Sequence, residues 1–207
     1  MPTRPRKHAY HHGDLRQALL DAALPLLRKG GPAALTLRAV ARAAGVSQTA
    51  PYRHFTDRSA LVGAVAENGF RQLHAQLMAA AADPEETLGK TSETARGGLQ
   101  ALALTYVRFA LAHPAEYRVM FGAELPASQK GSARQSVFEF LHGGIAMLQQ
   151  QKLVGDGDSH SMALTAWALV HGLAMLALDG QLFGKQGKTP EELTLVATDL
   201  MMFGMAK

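Results

Sequence analysis

The sequence predicts an all-α protein of about nine helices, on three observations. Apolar residues recur at helical spacing along most of the chain, no segment shows the strict alternation of a half-buried strand, and Gly, Pro and capping residues divide the apolar runs into helix-length pieces. The 207 residues, 47% of them hydrophobic, suffice for a compact body with a small appended module.

Leu15, Ala18, Leu19, Ala22, Ala23, Leu26 and Leu27 mark one face of a first helix, with Asp14 and Gln17 at capping-box spacing. It stops at Gly30-Gly31-Pro32, and Pro25 inside it deletes a backbone donor, so a kink is expected there. A second helix opens at Thr36, a good N-cap, and turns Leu37, Val40, Ala41 and Ala44 inward. Gly45-Val46-Ser47 then reads as a tight turn: glycine for the left-handed conformation, valine to plug the angle, serine to cap a third helix that begins at once. Pro51 falls near the first turn of that helix, and Phe55 anchors its end.

Thr56-Asp57 starts a long fourth helix reaching about Ala82, and Asp83 to Gly98 reads as a loop or weak helix. Leu99 to Ala112 is helical and ends at His113-Pro114. Further helices are expected over Ser136 to Gln151, over Ser159 to Leu182, and after Thr189-Pro190-Glu191-Glu192, where a cap, a proline and two acids suit a helix start. The expected organisation is a basic arm over 1–12, a three-helix module over 13–58 extending to about 72, and a helical body over 73–207.

Charge divides the chain in the same way. Through Arg58 there are ten Lys/Arg against three Asp/Glu, or +7; the remainder carries eleven against fourteen, or −3. A basic head on a mildly acidic body suits a polyanionic partner for the first part, although a solvated basic face reads the same way. Cysteine is absent and no apolar signal segment follows Arg4, Arg6 and Lys7, so a cytoplasmic protein is expected. No Gly-x-Ser-x-Gly elbow, His-Glu-x-x-His helix, phosphate-binding glycine loop or Cys/His zinc pattern occurs, which argues against an enzyme such as a hydrolase. His8-x-x-His11-His12 lacks acidic or sulfur partners; neither metal nor cofactor is expected, and the arm reads as solvated chain able to reach DNA.

Two short helices around Gly45-Val46-Ser47 suit a major-groove reader, and a plain helical hairpin gives the same pattern. On the reading as a reader, Gln48 and Thr49 face base edges, Arg38 or Arg53 can pair with guanine, and Tyr52, His54, Arg58 and Thr36 suit phosphates. A DNA binder without sequence preference would share the basic segment.

The stretch Leu35 to Ser47, followed by Pro51-Tyr52-Arg53-His54-Phe55, Asp57-Arg58 and Leu61, closely resembles the DNA-binding domain of TetR/AcrR regulators. The resemblance implies DNA contacts from Ser47, Gln48, Thr49, Tyr52, Arg53 and His54, from Thr36 and Arg38, and from Arg58. Pro51 departs from the apolar residue often found there. Trp167-x-x-x-His171-Gly172 and His113-Pro114-x-x-Tyr117-x-x-Met120-Phe121 resemble a C-terminal domain class of these regulators named for its Trp-His-Gly residues.

That resemblance implies a homodimer through the last two helices on a near-palindromic operator, and a pocket for a small hydrophobic or aromatic effector. Its candidate lining is Tyr106, Phe109, Met120, Phe121, Phe138, Leu141, His142, Trp167, His171 and Met175, all of which suit ordinary core packing as well. Met162 to Leu178 is an uncharged run of seventeen residues, read as a buried helix at a subunit interface and not a membrane span. A ligand-responsive repressor is the expected function.

Overall fold

The computed structural model describes residues 12–81, 91–122, 131–182 and 187–205, so most of the arm lies outside the described residues. Among them are eight α-helices, in keeping with the expected all-α fold, and no strand: α1 (His12–Gly30), α2 (Leu37–Ala43), α3 (Arg58–Ala80), α4 (Ser92–Ala112), α5 (Pro114–Phe121), α6 (Ser132–Gln150), α7 (Ser159–Leu178) and α8 (Pro190–Met205). The expected third helix is a single 3-10 turn over Ala50–Arg53, whereas α5 is a helix that the sequence did not announce. Ala50 N–H bonds to Ser47 O at 3.0 Å and His54 N–H to Pro51 O at 2.9 Å, the tighter three-residue pattern. Pro51, buried beneath this turn, has no N–H with which to extend a ladder backwards.

Helix α1 runs unbroken through Pro25, which faces solvent where the freed carbonyl can be hydrated. It begins at His12, so Asp14 falls in its first turn and not at a cap. The caps of α2 and α3 follow local rules: Thr36 Oγ1 accepts from Ala39 N–H at 3.1 Å and Asp57 Oδ1 from Ala60 N–H at 2.8 Å. At Gly45 (φ 68°) the end of α2 closes with Gly45 N–H on Arg42 O and Val46 N–H on Ala41 O, and half-buried Val46 packs on the module's core.

Differences from expectation lie mostly in the body. The weak segment becomes helix as early as Ser92, started by a reciprocal Thr91–Thr94 box. His113-Pro114 ends α4 and also begins α5, because proline is well placed at a first helical position. The long apolar helix stops at Leu178 and not Leu182, closed by Gly180 (φ 64°) with bonds from Gly180 N–H and Gln181 N–H to Ala177 O and Leu176 O. Thr189 and Glu192 form the box that opens α8.

Two large cores and a small cluster around Ile145, Ala163 and Ala166 result, and α3 belongs to both large ones. Leu61, Val62 and Val65 pack with Leu19, Leu27, Leu35, Val40 and Phe55, whereas Phe70, Leu73 and Leu77 pack with the body. Helix α5 bridges the same two cores: Val119 and Ala115 join the first, Tyr117, Met120 and Phe121 the second. Gly69 lets α5 approach α3, since a Cβ there would lie 2.6 Å from Met120 Sδ.

Candidate DNA interface and effector cavity

The N-terminal module presents its polar candidates to solvent. Thr36, Arg38, Ser47, Gln48, Thr49, Tyr52 and Arg53 are exposed, and His54 is half-buried beside Phe55. Tyr52 is an aromatic ring 54% exposed on a module that buries its other large apolar side chains, which points to a surface meant for contact. Thr36 Oγ1 already caps α2, leaving its proton to donate. Arg58 braces the start of α3, donating from Nε to Leu35 O at 3.0 Å and from a terminal nitrogen to Pro32 O at 2.6 Å. Its side chain therefore fixes the angle between α3 and the loop before α2.

The body holds a cavity of about 60 Å³ between α3, α4, α5, α6, α7 and α8. Tyr106, Phe121, Phe138, Leu141 and Trp167 lie on its wall. The other five candidates do not. Phe109 and Met120 are fully buried in the core, Met175 packs against it, and His142 Nε2 is 2.9 Å from Ser159 Oγ. His171 sits behind the wall, 3.2 Å from Tyr106 Oη and 2.7 Å from Tyr117 Oη. Sequence reasoning missed Val137, Val170, Thr198 and, above all, Arg134. Arg134 begins the stripe Val137, Phe138, Leu141 at helical spacing, and a charge on an apolar stripe was the available signal. A second cavity of about 270 Å³ adjoins the first and shares Leu99, Leu102, Phe140 and Leu141 with it.

Behind Arg134 runs a buried polar row. Trp167 Nε1–H donates to Tyr106 Oη at 3.1 Å, and Tyr117 O–H donates to Tyr106 Oη at 3.0 Å. Indole can only donate and the Tyr117 proton is committed to Tyr106, and the row closes on His171 Nδ1, which lies within hydrogen-bond distance of both phenol oxygens. Burial pushes the Tyr106 phenol up to about 12 and the Tyr117 phenol further still, Tyr106 beside it adding to the second effect. Burial first, then the charge of Arg134, hold the His171 imidazole below its ordinary value. All three groups stay neutral near pH 7, and of the row's two phenols Tyr106 belongs to the cavity wall.

A three-helix module with an exposed polar turn, joined through a shared helix to an all-helical body with an internal cavity, defines a helix-turn-helix regulator with a separate sensing domain. The sequence profile "Bacterial regulatory proteins, tetR family" matches residues 19–65, and the profile "Tetracyclin repressor-like, C-terminal domain" matches residues 99–200. The chain belongs to the TetR family of DNA-binding transcriptional regulators, which are not enzymes. Its Trp167, His171 and Gly172 lie within the second match.

The structure of a protein with unknown function from Rhodococcus sp. RHA1 is 38% identical, with a TM-score of 0.81, covering 97% of this chain and 100% of that one. A bacterial regulatory protein of the tetR family from Rhodococcus RHA1 has 17% identity and a TM-score of 0.67, with coverage of 92% and 96%. The TetR family regulator PfmR from Thermus thermophilus has 18% identity and a TM-score of 0.61, with coverage of 91% and 99%. These last two share the fold. Among curated proteins none matches the sequence.

Proposed function

We propose that this protein is a cytoplasmic, ligand-responsive repressor that binds a near-palindromic operator as a homodimer. The observation that carries the reading is the exposed set Gln48, Thr49, Tyr52 and Arg53 around the turn after Gly45, on a module of this family. Gln48 and Thr49 suit base edges, Arg38 or Arg53 a guanine, and Tyr52, His54 and Thr36 the backbone. Pro51 makes the reading element one 3-10 turn, so fewer side chains reach the groove floor than from a full helix.

The dimer reading rests on α7 and α8. Leu164, Ala168 and Leu176 on α7, and Val196 and Leu200 on α8, are exposed. Leu164 and Ala168, like Val196 and Leu200, stand four apart on one helix face. Helix α7 is long and apolar enough to cross a membrane, with only 17% of its most apolar window buried. An apolar face paired with a second one on α8, in a family of DNA-binding regulators, is satisfied by a second copy through a four-helix contact. Such a dimer would set two reading turns about 34 to 36 Å apart, one helical turn of DNA. An effector in the body releases DNA only to the extent that it binds the non-DNA state better.

The test is binding of the purified protein to DNA from next to its own gene and to a random duplex, at several salt concentrations, with Tyr52→Ala as control. Selective binding weakened by the substitution supports the reading. Equal, salt-sensitive binding to both duplexes overturns the sequence-specific operator reading.

A further inference from the structure

An arginine is a poor choice for the wall of an apolar cavity unless something anionic meets it there. Arg134 lines the inner cavity among Phe70, Leu102, Val137 and Phe138. Among the described residues its guanidinium makes no hydrogen bond or ion pair, and its one contact of note is with the Trp167 ring, 5.8 Å from the centroid. Two carboxylates placed close to it among the described residues are committed elsewhere. Glu67 accepts from Ala133 N–H at 3.1 Å and from Ser132 Oγ at 3.3 Å, capping α6, and Glu139 accepts from Gln135 at 2.6 Å.

We infer that the effector is an amphipathic carboxylate, its anionic head held by Arg134 in the inner cavity and its apolar tail running past Phe140 and Leu141 into the larger adjoining one. The inference rests on the effector reading above and narrows its chemistry. A guanidinium held over an indole at 5.8 Å keeps its N–H edge available, and its planar fork fits the two oxygens of a carboxylate. Tyr106, on the same wall, brings no competing negative charge, since its phenol stays protonated. The inner space of about 60 Å³ suits a head group and not a whole effector, whereas the outer space of about 270 Å³ is lined by Leu99, Leu102, Phe140, Leu141 and Met147 and suits an alkyl or aryl tail. Glu139 at the outer cavity repels a second anionic end, so one charged terminus is favoured over two.

Trp167 is the single tryptophan, so its fluorescence reports the head site directly. The experiment titrates the full-length protein with straight-chain carboxylates from hexanoate to dodecanoate and with 3-phenylpropionate, each against its primary amide. The same titrations use Arg134→Gln and Arg134→Lys, with a thermal melt to check that each variant folds. The expected result is that at least one acid binds roughly tenfold or more tightly than its amide, that Arg134→Gln removes this preference by weakening the acid alone, and that Arg134→Lys keeps part of it. Amides binding as well as acids, or an acid preference that survives Arg134→Gln, overturns the carboxylate inference and leaves the effector cavity standing. Binding by neither series overturns both.

Discussion

Arg28 on the last turn of α1 donates from two nitrogens to one oxygen of Glu116 on α5, at 3.0 and 2.5 Å, and thereby joins the DNA-binding module to the body across 88 residues of sequence. Glu116 is only 4% exposed, and its second oxygen is buried with no partner. Arg28 itself is more than half exposed, so solvent screens the pair. Arg28→Ala strands a buried carboxylate and is expected to lower stability by about 1–2 kcal/mol, read as a fall in the urea midpoint at unchanged m-value. Glu116→Gln, which keeps an acceptor and removes the charge, is expected to lose less; an equal or larger loss would show that the charge pairing itself dominates.

Leu200 is 69% exposed on α8, the most exposed of the large apolar side chains among the described residues. Leu200→Glu places a charge in the proposed interface, and the expected outcome is a shift from dimer to monomer in sedimentation together with at least tenfold weaker operator binding. A stable dimer that still binds the operator would move the interface to another surface.

Lys152 ends α6 in the left-handed region at φ 60°, where Lys152 N–H bonds to Gln149 O and Leu153 N–H to Leu148 O. Glycine normally fills this place because a Cβ there is strained. Lys152→Gly is expected to raise stability by about 0.5–1 kcal/mol, the relief of strain outweighing the added freedom of the unfolded chain. A lower thermal midpoint would contradict this.

His171 should make stability depend on pH. Burial, then the charge of Arg134, set its folded value below the ordinary 6.5, so the neutral form is the one the fold favours. Its contribution is complete above pH 6.5 and is lost as the pH falls through the depressed folded value, where the imidazolium sets a second positive charge near Arg134. Urea midpoints from about pH 8 to about pH 5 should fall more steeply in the wild type than in His171→Gln, and parallel curves would exclude this residue as the source. In the alkaline range, the phenol absorbance of Tyr106 should stay unionised until about pH 12.

Helix punctuation was legible along the chain because it is local chemistry. Thr36, Asp57 and Thr189 cap the helices that follow them, and the Gly45 turn closes with bonds to residues three and five positions back. The Tyr52-x-His54-Phe55 pattern likewise identified the DNA-binding module. The reading turn was harder, since Pro51 removes a donor without announcing whether the chain continues as an α-helix or tightens into a 3-10 turn. Helix α5 was obscured because the proline that ends α4 also starts it.

By itself, then, the sequence determined the helical class, the caps, the basic head and the family, all properties set by neighbours within about one helical turn or by the order of residues in a motif. Only the tertiary structure decided which apolar side chains meet across the cavity, that Phe109, Met120, His142 and Met175 lie off its wall, and that Arg134 lies on it. It also decided that Tyr106, Tyr117 and His171, spread over 65 residues, share one proton-ordered row. The physical reason is that helical periodicity fixes which face of a helix turns inward, whereas the neighbour that face meets depends on how several helices pack at once.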